Sequence, residues 1–79
     1  MDLKDTVALM TSKDRKDRLR AEYYQLKIRS AKLEAAIAAY DRGQLNIDCP
    51  PELLRQQLDY MHNYAAIIEQ RATYEGVTL

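Results

Sequence analysis

A chain of 79 residues has room for one small domain. Its twelve basic and twelve acidic residues cancel, which argues against a general nucleic-acid binder and equally against an acidic mimic of DNA. One cysteine and one histidine exclude an internal disulfide and argue against a metal site, so we expect no metal and no cofactor. No apolar run is long enough to cross a membrane, and the lone cysteine without a signal peptide is typical of a reducing cytosol.

The first residues predict a short helix over about 2–10, because Leu3, Val7 and Met10 recur at helical spacing. A helix this short is unstable alone and must dock on another element. Thr11 and Ser12 interrupt the pattern, and Thr11 followed by Asp14 has the spacing of a capping box. We therefore expect a second helix to begin at about residue 13.

This second helix is predicted to be long, from about 13 to 41, with Gly43 just past its end. Mostly apolar residues follow each other along it in steps of four and three, the period of one helix face. They are Leu19, Tyr23, Leu26, Ser30, Leu33, Ile37 and Tyr40.

A linker over 42–50 separates the long helix from a third helix over about 51–74. Proline is accepted in the first helical turn, so Pro50 and Pro51 mark its start, and Gly76 marks its end. The same stepwise pattern returns in Leu54, Leu58, Met61, Ala65, Ile68 and Ala72. The predicted fold is all-α, a single domain over 1–79, in which a short N-terminal helix precedes a long antiparallel two-helix hairpin.

Both long helices carry more apolar surface than one hairpin contact needs. The extra surface predicts a second packing partner, which is the N-terminal helix, another copy of the chain, or both. Small alanines on the first long helix would let another helix approach closely. With so small a core, we expect a helical homo-oligomer of coiled-coil type. The interface candidates are Ile28, Ala31, Ala35, Ala38, Tyr60 and Ile67.

No catalytic motif, glycine-rich loop or paired acid and base stands out, so we expect no enzyme and no catalytic residue. Side chains that could bind an anionic, flat ligand do occur, because tyrosine stacks on bases and arginine or lysine binds phosphate. The ligand-binding candidates are Arg20, Tyr24, Lys27, Tyr64 and Arg71. Solvated helix charges and an oligomer interface are the competing interpretations of the same residues.

From Ser12 onward the chain resembles a family of small phage and prophage proteins named after a crAss-like phage protein. The similarity lies in Ser12 to Arg29 (SKDRKDRLRAEYYQLKIR), the pair Lys32–Leu33, the linker Gly43 to Pro50 (GQLNIDCP), PELL from Pro51, and YEG ending at Gly76. This resemblance implies a viral origin, and with it the cytoplasm of an infected bacterium.

A looser, architectural resemblance is to the helical sponges with which phages sequester cyclic nucleotide signals of host defence. It implies an anti-defence protein that holds a cyclic nucleotide between copies of a homo-oligomer, and it carries over no residue. The alternatives are a protein that binds and inhibits a host defence nuclease or effector, and a structural or regulatory phage protein. Neither a membrane nor a specific nucleic-acid sequence is expected as a partner.

Overall fold

The computed structural model describes residues 2–10 and 14–79. Over these residues the chain forms three helices and no strand: α1 spans Leu3–Met10, α2 spans Arg15–Asp41 and α3 spans Pro51–Glu75. Helices α2 and α3 pack against each other as an antiparallel hairpin, and α1 packs on α2. The predicted all-α fold, a short helix followed by a long hairpin, is confirmed.

Helix α2 is capped differently from the capping box predicted at Thr11. Asp14 is the N-cap itself, with extended backbone angles, and its carboxylate accepts a hydrogen bond from the Lys16 amide at 2.9 Å. The predicted role of Asp14 inside the first turn is therefore wrong, since the helix begins at Arg15. A carboxylate at this position also suits the positive end of the helix dipole. Thr11 and Ser12 lie outside the described residues.

The two glycines stand where each long helix ends. Gly43 has φ +72° and its amide donates to the Tyr40 carbonyl at 2.9 Å. Gly76 has φ +69° and is the C-cap of α3. Left-handed backbone of this kind favours glycine because it has no Cβ. Between the helices, residues 44–50 have no regular structure, and Pro51 opens α3.

The buried core lies at one end of the hairpin, where the start of α2 meets the end of α3. Leu19, Ile68, Ala72 and Val77 form it, and Tyr23, Leu26 and Leu79 pack against it. Towards the linker the same apolar faces continue, but their residues, such as Leu33 and Leu54, are only half-buried. One copy of the chain thus closes only part of its apolar surface.

Helix α1 docks on a different side of α2 from α3. Thr6 is fully buried there, and its hydroxyl accepts a hydrogen bond from Gln25 Nε2 at 3.0 Å. The hydroxyl also donates to the Leu3 carbonyl at 2.8 Å. Ala21, one turn before Gln25, is buried too. Helix α1 is therefore one of the two packing partners expected for the extra surface of α2.

Candidate functional site

A groove of about 310 Å³ runs between α2 and α3. Its lining is Glu22, Gln25, Leu26 and Arg29 on α2 and Gln57, Met61 and Tyr64 on α3. An adjoining hollow of about 330 Å³ follows α3, lined by Leu53, Gln56, Gln57, Tyr60, Met61 and Tyr64. The three α3 residues of the groove line both concavities, so the two open side by side on one face of the hairpin.

Helical periodicity brings these side chains together. Glu22, Leu26 and Arg29 follow in steps of four and three, so they project from one side of α2. Gln57, Met61 and Tyr64 follow with the same steps on α3. Antiparallel pairing then sets these two rows opposite each other, with the apolar Leu26 and Met61 between polar neighbours.

Tyr64 bridges the groove. Its hydroxyl donates a hydrogen bond to Glu22 Oε1, which joins α3 to α2 at the surface. The bond restrains the edge of the ring while the residue remains nearly half exposed. A restrained, partly exposed tyrosine ring offers a flat surface to a ligand at low entropic cost.

Arg29 is the one cation lining the groove, and it has no ion-pair or hydrogen-bond partner among the described residues. Its guanidinium is exposed, so an incoming anion would not have to displace a carboxylate. The Gln57 amide likewise has no partner within the described part of the chain. The groove therefore combines a stacking ring, an available cation and a free amide.

The Arg20 guanidinium, by contrast, already has hydrogen-bond and ion-pair partners. Its Nε donates to the Thr78 carbonyl at 3.0 Å, and its Nη1 pairs with Asp17 at 3.0 Å. Arg71 also has a partner, since its Nε lies 3.3 Å from Glu75 Oε2. Both guanidinium groups keep further N–H donors, but a phosphate would have to compete with the carboxylate that already pairs with each of them.

The five predicted ligand-binding residues fall on two sides of the hairpin. At about 100° per residue, Arg20, Tyr24 and Lys27 share one side of α2, whereas Glu22 and Arg29 lie on another. Tyr24 packs edge-on against Tyr23 with ring centres 5.8 Å apart, and Lys27 is exposed. Of the five, Tyr64 alone lines the groove. A single copy of the chain does not bring them into one site.

The predicted interface residues are mostly exposed in one copy. Ala31, Ala35 and Ala38 are exposed on α2, and Ile28 is half-buried. Tyr60 and Ile67 are exposed on α3. Such exposure is compatible with contacts between copies, and assembly itself stays a prediction.

Arg29 and Gln57 are among the groove residues that the sequence analysis did not predict as site residues. The available signal was their period, since Arg29 follows Glu22 by seven residues and Gln57 precedes Tyr64 by seven. Seven residues are close to two helical turns, so each pair shares a helix face. Which of the many polar faces borders a groove depends on how the helices pair, and spacing alone does not give that.

Within the described residues no cluster of three or more histidine, cysteine, aspartate or glutamate side chains could hold a metal ion. The same residues include no helix with the length and apolar character needed to span a bilayer.

Comparison with known proteins gives one match. No curated protein and no solved structure matches the chain. The sequence model of the Sequestin family matches residues 13–74, which cover α2, the linker and nearly all of α3, and leave α1 outside. This is the segment from which the hairpin, the groove and the adjoining hollow are built. The chain belongs to the Sequestin family.

Proposed function

We propose that the protein holds an anionic nucleotide in the groove between α2 and α3 without altering it chemically. The name of the family suggests sequestration of a ligand. The observation that carries the proposal is the Arg29 guanidinium, which has no ion-pair or hydrogen-bond partner among the described residues and lies in a groove with Tyr64 and Gln57.

Each of these side chains suits one part of a nucleotide. The Tyr64 ring, with Tyr60 in the adjoining hollow, supplies flat surfaces for base stacking. Arg29 supplies charge-assisted hydrogen bonds to a phosphate. The Gln57 amide can donate to and accept from the edge of a base. The groove and the hollow are each at the lower end of the size range of small-molecule pockets, about 300–1,000 Å³.

The ligand class we favour is a cyclic nucleotide used as an immune signal by a bacterial host. Sequestering such a signal stoichiometrically would make the protein a phage anti-defence factor. A cyclic di- or trinucleotide has at least two flat bases and two phosphates. Its bases suit the tyrosine rings, and its phosphates suit the Arg29 guanidinium. Inhibition of a host defence protein is the second hypothesis, and the exposed apolar side chains of α3 favour it.

Isothermal titration calorimetry with a panel of cyclic di- and trinucleotides tests the proposal, with the linear dinucleotides as ligand controls. Arg29→Ala and Tyr64→Ala should each weaken binding, the latter by about ten- to a hundredfold for a lost stacking contact. Lys27→Ala is the matched control, because Lys27 is an exposed cation on another side of α2.

Each result has a distinct meaning. Weaker binding by Arg29→Ala but not by Lys27→Ala supports the groove. Weaker binding by Lys27→Ala but not by Arg29→Ala places the site on the side of Arg20 and Tyr24. If the wild-type protein binds no member of the panel, nucleotide sequestration is wrong. A pull-down from host lysate then tests the inhibitor hypothesis.

A further inference from the structure

Four large apolar side chains stand exposed along one side of α3 at intervals of seven residues. We call them the α3 stripe: Leu53, Tyr60, Ile67 and Tyr74. Their exposed fractions run from 55% to 91%, so the described residues of a single copy leave more than half of each one uncovered. A helix face turned only to water would not be expected to repeat apolar residues along its whole length.

The neighbours of the stripe are unusual in lacking charge. Gln56, Asn63 and Gln70 flank it on one side, and Gln57 and Tyr64 on the other, before Arg71. The chain as a whole is 30% charged. A helix face that carries no charged residue from Leu53 through Tyr64 to Ile67 is therefore unusual for this chain. Depletion of charge with enrichment of tyrosine is typical of the centre of a protein interface.

The spacing of the stripe is compatible with another helix as the partner. A strict seven-residue repeat keeps one seam facing a second helix that winds around the first with left-handed supercoiling. The stripe with Tyr64 exposes on the order of 600 Å² per copy, given about 150–250 Å² for each free aromatic side chain. A partner that buried most of this area on both copies would reach the roughly 1,000 Å² that a specific interface needs.

We infer that a second copy of this chain docks on the α3 stripe, with the two α3 helices antiparallel. A two-fold axis between Asn63 and Tyr64 then sets Leu53 against the partner's Tyr74 and Tyr60 against the partner's Ile67. Every apolar residue of the stripe meets another, as a self-complementary two-fold interface requires.

Charge favours the antiparallel over the parallel arrangement. Parallel helices in register would place the two Arg71 side chains against each other. Antiparallel helices set Arg71 opposite the partner's Gln56 and hold the two guanidinium groups roughly 20 Å apart along the axis at 1.5 Å per residue. The competing alanine face, Ala31 to Ala38, offers less apolar area and has the exposed, charged Lys32 and Glu34 beside it.

This pairing bears on the nucleotide site, and to that extent it rests on the proposed function. Met61, Gln57 and Tyr64 line both the groove and the hollow beside the stripe, so a second copy would close the open side of the site. Each copy contributes one cation to its own groove, Arg29, for which the described part of the chain supplies no partner.

Analytical ultracentrifugation of ligand-free protein tests the pairing. Wild-type protein should sediment well above the 9.2 kDa of one chain. Ile67→Glu should return it to one chain with an unchanged circular dichroism spectrum, because Ile67 is exposed in the single copy. Ala35→Glu, the matched control on α2, should leave the mass unchanged. A monomeric wild type, or loss of mass with Ala35→Glu alone, overturns the inference.

Cross-linking tests the direction of the helices. In a Cys49→Ser background, Tyr60→Cys and Ile67→Cys proteins are mixed and oxidised. Antiparallel pairing predicts a mixed disulfide between the two variants, and parallel pairing predicts disulfides within each variant, which would overturn the arrangement.

Calorimetry on the same Ile67→Glu protein separates this inference from the proposed function. Loss of nucleotide binding with loss of assembly supports a site completed by the second copy. Binding that persists in the monomer overturns that completion while leaving the nucleotide proposal intact.

Discussion

Arg20 in the second turn of α2 donates a hydrogen bond from Nε to the carbonyl of Thr78, 58 residues later, at 3.0 Å. The same guanidinium pairs with Asp17 at 3.0 Å, which fixes its orientation. Val77, next to Thr78, is buried in the core beside Leu19 and Ile68. Arg20 thus holds the segment after α3 over the core of the hairpin.

Arg20→Ala should destabilise the protein, since it removes the bond that holds Thr78 and loosens Val77. A hydrogen bond from a partly exposed charged group contributes about 1 kcal/mol, which corresponds to a fall in Tm of roughly 4–8 °C in a domain of this size. Thermal unfolding followed by circular dichroism measures it. Arg18→Ala, at an exposed arginine with no partner among the described residues, should leave Tm nearly unchanged. An equal Tm for both variants would contradict the role of Arg20.

The docking of α1 can be tested at Thr6. Thr6→Val keeps the shape of the side chain but removes the hydroxyl that accepts from Gln25 and donates to the Leu3 carbonyl. Loss of a buried polar partner costs about 1–2 kcal/mol of unfolding free energy. Urea unfolding should show this cost. Thr73→Val makes the same chemical change at an exposed threonine and should change stability far less. Equal effects of the two changes would show that the Thr6 contact is unimportant.

The hairpin could be predicted from the sequence because its determinants are local. Apolar period, Pro51 and the two glycines fix which segments are helical and where they end. The cap of α2 could not be predicted as reliably, because Asp14 suits both the N-cap and the third position of a capping box, and only its extended backbone decides.

The candidate site was harder to predict, because it depends on pairing between distant segments. Arg20 and Arg29 are both arginines on α2. Arg20 donates a hydrogen bond to the Thr78 carbonyl, whereas Arg29 has no partner among the described residues. The segment after α3 folds back onto the hairpin because Gly76 allows the turn and Val77 is buried. The apolar period of the helices does not predict this contact.

The adjacent residues Ile67 and Ile68 offer a matched test of core against surface. Ile68 is fully buried, whereas Ile67 is 56% exposed. Ile68→Ala should lower the unfolding free energy by about 2–4 kcal/mol, since it removes apolar contacts and leaves a cavity in a small core. Ile67→Ala should cost much less in dilute protein. Urea unfolding at low concentration compares the two, and a larger effect of Ile67→Ala there would mean that its surface is buried even under those conditions.

The ion pair Asp41–Arg55 makes the stability of the fold depend on pH in the acidic range. Asp41 at the end of α2 accepts two hydrogen bonds from Arg55 of α3, at 2.6 and 3.2 Å. These hydrogen bonds lower the pKa of the Asp41 carboxyl below its ordinary value, the Arg55 charge adds to the effect, and desolvation opposes it. A carboxyl with a lower pKa in the folded than in the unfolded chain stabilises the fold above the unfolded pKa, about 3.9 for aspartate. That contribution is lost as pH falls through the folded pKa.

Asp41→Asn should therefore lower Tm slightly at neutral pH and flatten the fall of Tm below about pH 4, the ordinary aspartate range. The difference from wild type should shrink as Asp41 becomes protonated. It should also shrink in high salt, which screens a pair this exposed. Asp59→Asn changes an exposed carboxylate with no ion-pair partner in the described part of the chain, and its profile should follow the wild type. Parallel Tm profiles of wild type and Asp41→Asn across this pH range would show that the pair does not link α2 to α3 in solution.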